Sequence, residues 1–236
     1  LILGPTTASA LVADAAPYSD VPTTHTFAGY IAYCQKEGII SGYADGTFRP
    51  ANTLTGYAFM KMLLGALGYD AEVEQYTGAN WSINVAKRAL NIGLDDDLVG
   101  DFNGVKAVTR EEACLYALNT MTADMVEYDA KTTVSTNGTT VVIAGSKAKE
   151  MVNNGNSDGK IFGKDGVMQF AEKYFDNLSV KTGSDEFERP ANVWKLKAEE
   201  IGTYTNTPDL TYTKKVEAGD IYKDLNLGST VAAKDV

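Results

Sequence analysis

Residues 38–55, GIISGYADGTFRPANTLT, form a loop bracketed by helix signals. Gly38 suits the left-handed position that ends a helix. Ser41–Gly46 are turn residues, Pro50 blocks helical continuation, and Thr55 can cap the next helix. Upstream, Phe27, Tyr30, Ile31 and Cys34 fall at i, i+3, i+4 and i+7, the spacing of one helical face. Downstream, Phe59, Met62, Leu63, Ala66 and Leu67 make the apolar face of a second helix that Gly68 closes. The unit reads helix, loop, helix.

The unit recurs. Residues 18–68 and 76–121 superpose with an offset of 54, with one residue of slack near Gly38 and Gly93. Phe27 then meets Trp81, Ile31 meets Val85, Phe48 meets Phe102, and Leu54-Thr55 meets Val108-Thr109. Phe59, Leu63 and Leu67 meet Ala113, Ala117 and Met121. In unit two Trp81, Val85 and Ala89 form one stripe, and Thr109 with Glu112 forms a T-x-x-E capping box. Neither helix pair is long enough to bury its stripe alone, so the units are expected to pack together.

These residues carry a family resemblance. Unit one holds YSDVP (18–22), His25 and the 38–55 loop; this resembles the S-layer homology motif, whose F-x-D-V-x-x-x-x-W-A opening leads to G-I-x-x-G-Y-x-D-G-T-F-x-P and an I-T-R-A-E helix start. Unit two keeps Trp81 and the start Val108-Thr109-Arg110-Glu111-Glu112, but of the loop only Gly100–Gly104. The resemblance covers residues 18–122 and implies a Gram-positive, clostridial surface protein. In the family three repeats close a pseudo-threefold helical bundle, whose grooves bind a pyruvylated secondary cell-wall polysaccharide. By motif position, the resemblance makes Arg110 the candidate contact for the ketal carboxylate; a guanidinium fork matches a carboxylate and an aromatic face covers a sugar ring. Thr109 and Glu112 set that helix start. Trp81 either lines a groove or packs in the core, and Asp45 and Arg49 complete the candidate carbohydrate site or hold the loop in shape. Arg110 has a structural alternative too, a salt bridge, although a cation at a helix N-terminus opposes the helix dipole. Two departures stand out. Unit one has Gly56 and Ala58 where the motif has Arg and Glu, and residues 1–125 contain no third repeat.

Composition agrees with an ordered chain: 44% hydrophobic and 22% charged over 236 residues. The net charge of −10 argues against general affinity for nucleic acid or anionic membranes, so an anion site must be local. Four arginines exist, Arg49, Arg88, Arg110 and Arg189. Cys34 and Cys114 lack metal-ligand spacing and read as two buried free thiols. The single histidine, His25, reads as a helix-start or surface residue. No apolar run is long enough to span a membrane. Residues 1–13 read as a signal-peptide remnant or an N-terminal arm, with Ala8-Ser9-Ala10 and Leu11-Val12-Ala13 offering the small residues a signal peptidase inspects.

After Met125 the pattern changes. Thr132–Thr136 and Thr139–Ile143 flank Asn137-Gly138, a hairpin signal. Residues 167–176 read as a short amphipathic helix. Val193–Leu196, Ile201–Tyr204, Leu210–Thr213 and Ser229–Ala232 read as strands. The expected fold is therefore α+β: two all-α repeats (18–70 and 76–122, within 14–125), then a small β-rich α+β surface domain over 126–236. Asn154, Asn156, Asp158 and Asp165 sit at positions 1, 3, 5 and 12 of a pattern with Gly159 at 6, as in a calcium loop; calcium is the one cofactor the sequence raises. A plain Asn/Gly/Asp loop is the alternative.

The expected function is non-catalytic anchoring at the extracellular cell wall or S-layer. The competing expectation is a self-assembling structural protein whose repeats pack against other subunits. A third is a fragment of an exported polysaccharide hydrolase, although no G-x-S-x-G, H-E-x-x-H or Walker sequence occurs.

Overall fold

The computed structural model describes residues 3–129, 132–136, 139–143, 147–155, 159–208 and 211–226. After a short helix α1 (Gly4–Ser9) come four helices: α2 (Ala28–Lys36), α3 (Gly56–Ala66), α4 (Trp81–Asn91) and α5 (Arg110–Thr122). The Thr55 hydroxyl accepts the Ala58 amide to start α3, and Thr109 with Glu112 completes the reciprocal cap of α5.

α3 is the central helix. Met60, Leu64 and Leu67 are fully buried and Leu63 nearly so, against Val85 and Ala89 of α4, Tyr116 of α5 and Leu94. Each such aliphatic side chain contributes about 1.5–3 kcal/mol by leaving water. The buried face is rotated from the expected one: Met60 and Leu64 join it, Phe59 and Ala66 are half-buried, and Met62 turns towards a groove. A helix with neighbours on two sides buries more than one stripe, and 56–67 is apolar nearly all round.

α2 departs further from its expected stripe. Ala28 and Ile31 are buried, but Phe27 is 59% exposed and Tyr30 42%. Its partners are Tyr18, Val21 and the loop residues Ile40 and Phe48 rather than a helix, so the small core it joins is separate from that of α3. The cysteines are free as expected, but Cys34 is half-buried and Cys114 exposed, not buried. Cys114 lies on α5, on a face that no described residue buries.

The second half is tied to the helices by main-chain bonds. β1 (Val126–Glu127) pairs antiparallel with β4 (Lys149–Glu150). The Val126 amide donates to Leu67 O at 2.9 Å, Met125 to Met168 O at 2.8 Å and Phe170 to Ala123 O at 3.0 Å. Met125, Val126 and Phe170 enter the α3 core, so packing runs continuously through residue 125. β2 (Thr132–Thr136) and β3 (Thr139–Ile143) pair as the hairpin pattern predicts, with Thr136 opposite Thr139. Helix α6 (Phe170–Tyr174) is shorter than the expected 167–176 because Gln169, in extended conformation, precedes its first turn. β5 (Leu178–Ser184), β6 (Pro190–Leu196) and β7 (Glu199–Thr205) form an antiparallel meander. Its Leu178, Val180 and Trp194 pack on Ala171 and Ile161. β5 was not anticipated, despite the alternation of Leu178 and Val180. Thr211–Thr213 are not in a strand, and Leu210 and Ser229–Ala232 lie outside the described residues. α7 (Ala218–Asp224) ends the described chain, again unanticipated.

Candidate functional site

The 38–55 loop is held by carboxylates. Asp20, from the YSDV opening, accepts the amides of Phe48 at 2.8 Å and Arg49 at 2.7 Å. Those bonds hold Arg49 at φ 59°, a left-handed conformation that non-glycine residues rarely adopt. Asp45 accepts the Thr47 hydroxyl at 2.6 Å, the Thr47 amide at 3.0 Å and Arg49 Nη2 at 2.7 Å. These donors, the Thr47 hydroxyl foremost and then Arg49, hold the Asp45 carboxyl at about 2. The Arg49 guanidinium lies 4.2 Å from the Tyr43 ring centroid, and Tyr18 stacks on Phe48 at 5.4 Å.

Between this loop, α3 and the start of α4 lies a groove of about 950 Å³. Tyr30, Tyr43, Phe48 and Trp81 give it aromatic walls; Arg49 and Lys61 give it positive charge, and among the described residues no Asp or Glu lines it. Trp81 is half-buried, edge-on to Tyr57 at 6.4 Å, so it both packs and lines the groove. Lys61 Nζ lies 5.7 Å from the Trp81 ring centroid. It has no hydrogen bond or ion pair to any described residue, and burial pushes its ammonium below the usual lysine range.

The groove gathers Trp81 and Arg49 from the expected site. Asp45 braces Arg49 from behind, while Thr109, Arg110 and Glu112 lie outside the groove at the start of α5. Glu112 accepts the Thr109 amide at 2.7 Å and Lys106 Nζ at 3.1 Å; the amide first and the ammonium second pull its carboxyl down. It is thus committed to the cap. Arg110 is exposed and has no ion pair among the described residues. His25 accepts the Phe27 amide at Nδ1, 3.2 Å, beside the start of α2.

Gly56 explains the missing arginine. Its amide donates to Lys106 O at 3.0 Å and that of Tyr57 to Gly104 O at 2.9 Å, while Val108 donates to Leu54 O at 2.8 Å. Unit two's shortened loop therefore lies directly on the helix start of unit one. A Cβ at 56 would stand 3.1 Å from Asn103 O and from the Gly104 Cα, and one at Gly104 would enter the Tyr57 ring. The position that carries an ion contact in the motif is here a backbone-to-backbone seam.

Of the calcium pattern, Asn154 and Asp165 are exposed; Asn156 and Asp158 lie outside the described residues. Nearby, Glu172 is buried and accepts Asn153 Nδ2 at 2.8 Å. Two residues that sequence reasoning passed over shape the groove. Asp20 was legible as the acid of the YSDV opening, and Lys61 as the single charge in the apolar run FMKMLL.

The family model for the S-layer homology domain matches residues 17–56: the YSDV opening, α2, the clasped loop and the start of α3. The chain carries an S-layer homology domain. Its relatives include the middle cell wall protein of Brevibacillus brevis, 27% identical over 110 residues (47% of this chain and 10% of that protein). The surface layer protein of Brevibacillus choshinensis is 38% identical over 56 residues, 24% of this chain and 5% of that protein. An endoglucanase of a Bacillus species is 28% identical over 109 residues, 44% of this chain and 12% of that enzyme. The chain spans only 5–12% of the length of these relatives. No solved structure matches. With this domain the chain is an extracellular, S-layer-associated protein of the cell surface. Among the described residues no helix is long and apolar enough to cross a membrane.

Proposed function

We propose that the chain is a non-catalytic wall-anchoring module that holds a secondary cell-wall polysaccharide in the groove between its two helical units. The observation that carries this reading is the composition of the groove: aromatic walls from Tyr30, Tyr43 and Trp81, positive charge, and no carboxylate, in a chain with 31 acidic residues. Aromatic faces cover the apolar side of a sugar ring, and a locally positive cleft concentrates an anionic polymer against the chain's overall charge. The pyruvylated glycan that the family resemblance implies would suit its charge.

The test is retention on purified wall sacculi with and without their secondary polymer. Binding only to sacculi that keep the polymer supports the proposal, and Trp81→Ala should then lower retention about tenfold. Equal retention on both preparations, or on neither, overturns it.

Self-association is the second reading. Ile83 is 64% exposed and Leu90 40%, seven residues apart on α4, and Leu118 on α5 is 40% exposed. These apolar positions suit another subunit or a further repeat. A sedimentation experiment that finds only monomer at high concentration counts against it.

A further inference from the structure

Among the described residues Lys61 has no hydrogen-bond or ion-pair partner, and its ammonium lies 5.7 Å from the Trp81 ring centroid. Its position in α3 is about one and a half turns beyond the helix start, on the side that faces Trp81 at the start of α4. A half-buried ammonium loses hydration and normally recovers it through a carboxylate; here no described residue supplies one. Arg49, the other cation of the groove, is already neutralised by Asp45 at 2.7 Å and tied to the loop. Among the described residues the groove therefore has one cation without a carboxylate partner, Lys61, beside the tryptophan ring. Position 56, where the motif has arginine, is a glycine set tightly against the backbone of Asn103 and Gly104, so it adds no charge to the groove.

We propose that Lys61 is the anion-selecting residue of the groove: it pairs with a single negative charge on a bound saccharide while Trp81 covers the adjoining sugar ring. This rests on the reading of the groove as a polysaccharide site, and adds which residue makes that site prefer an acidic sugar. An ammonium is a point charge with three donors, so it selects charge without demanding the planar geometry that an arginine would read. A carboxylate and a phosphodiester share that chemistry.

The test is calorimetric titration of the whole chain with purified wall polysaccharide, with the same polymer after its carboxyl groups are reduced to alcohols, and with polyglycerol phosphate. The wild type should bind an anionic polymer about tenfold more tightly than the reduced one, the scale of one charge-assisted contact. Lys61→Met, which keeps the stem's packing, should bind native and reduced polymer alike, and Lys61→Arg should recover the preference. Loss of affinity on carboxyl reduction names a carboxylate, whereas binding of polyglycerol phosphate as tight as that of the native polymer names a phosphodiester. If Lys61→Met keeps the wild-type preference, the inference falls while the polysaccharide site stands. If the wild type binds none of the three polymers, both fall. Thermal melting of Lys61→Met within a few degrees of the wild type excludes misfolding as the cause of either result.

Discussion

The two helical units share a register but divide the work of one. Unit one keeps the long loop, clasped by Asp20 and Asp45, and surrenders its helix start to packing. Unit two keeps the capped, arginine-bearing helix start and surrenders its loop, whose remnant fills the seam at Gly56. The burial of equivalent positions follows the same division. Met60 and Leu64 of α3 are fully buried, whereas their counterparts at the offset of 54, Cys114 and Leu118 of α5, are exposed. A repeat therefore copies a pattern of helices without copying its environment. Both helices have two neighbours, α4 and α5 for α3, and α3 and α6 for α5, but those of α5 leave Cys114 and Leu118 uncovered.

The largest test of that difference is a matched pair. Leu64→Ala should lower unfolding stability by about 3 kcal/mol in urea titration, because it opens a cavity in a closed core. Leu118→Ala, its counterpart, should cost less than about 0.5 kcal/mol. Equal losses would mean that both units are buried alike. Next, Gly56→Arg restores the motif but drives a side chain into the Asn103–Gly104 backbone; it should cost about 2 kcal/mol in the same measurement. A neutral result would remove the seam as the reason for the glycine. Thr109→Ala breaks the α5 cap and should cost about 1 kcal/mol.

The clasp has a pH signature. The folded Asp45 carboxyl sits at about 2, below the roughly 3.9 of an unfolded chain. The clasp's contribution is therefore complete above about pH 4 and lost as pH falls towards 2. The Thr47 amide resonance should titrate over that range in the wild type and stay flat in Asp45→Asn. The smallest effect is expected of Arg110→Ala. With no ion pair to a described residue to break, it should change stability by less than about 0.5 kcal/mol, so any fall in wall retention would report ligand contact directly.

Much of the helical half was legible in the sequence because its signals are local. The caps at Thr55 and Thr109, the helix end at Gly38 and the YSDV and DGTFRP segments each involve residues a few positions apart. The paired strands around Asn137-Gly138 were legible for the same reason. The exposure of Phe27 and Tyr30 was not, since a periodic stripe says that a face is apolar but not whether a partner reaches it. Nor were β5 and α7, which are short and draw their stability from neighbours distant in the chain.

By itself the sequence determined the four helices, the caps at Thr55 and Thr109 and the family to which residues 17–56 are similar, because these follow from spacing and from turn and cap chemistry. Only the tertiary structure decided what each copy does. It set Gly56 against the Gly104 backbone, left Arg110 outside the groove, and brought Lys61 and Trp81 together across it. The physical reason is that charge pairing and burial depend on contacts between segments some tens of residues apart, and no local pattern encodes which of two similar faces will be covered.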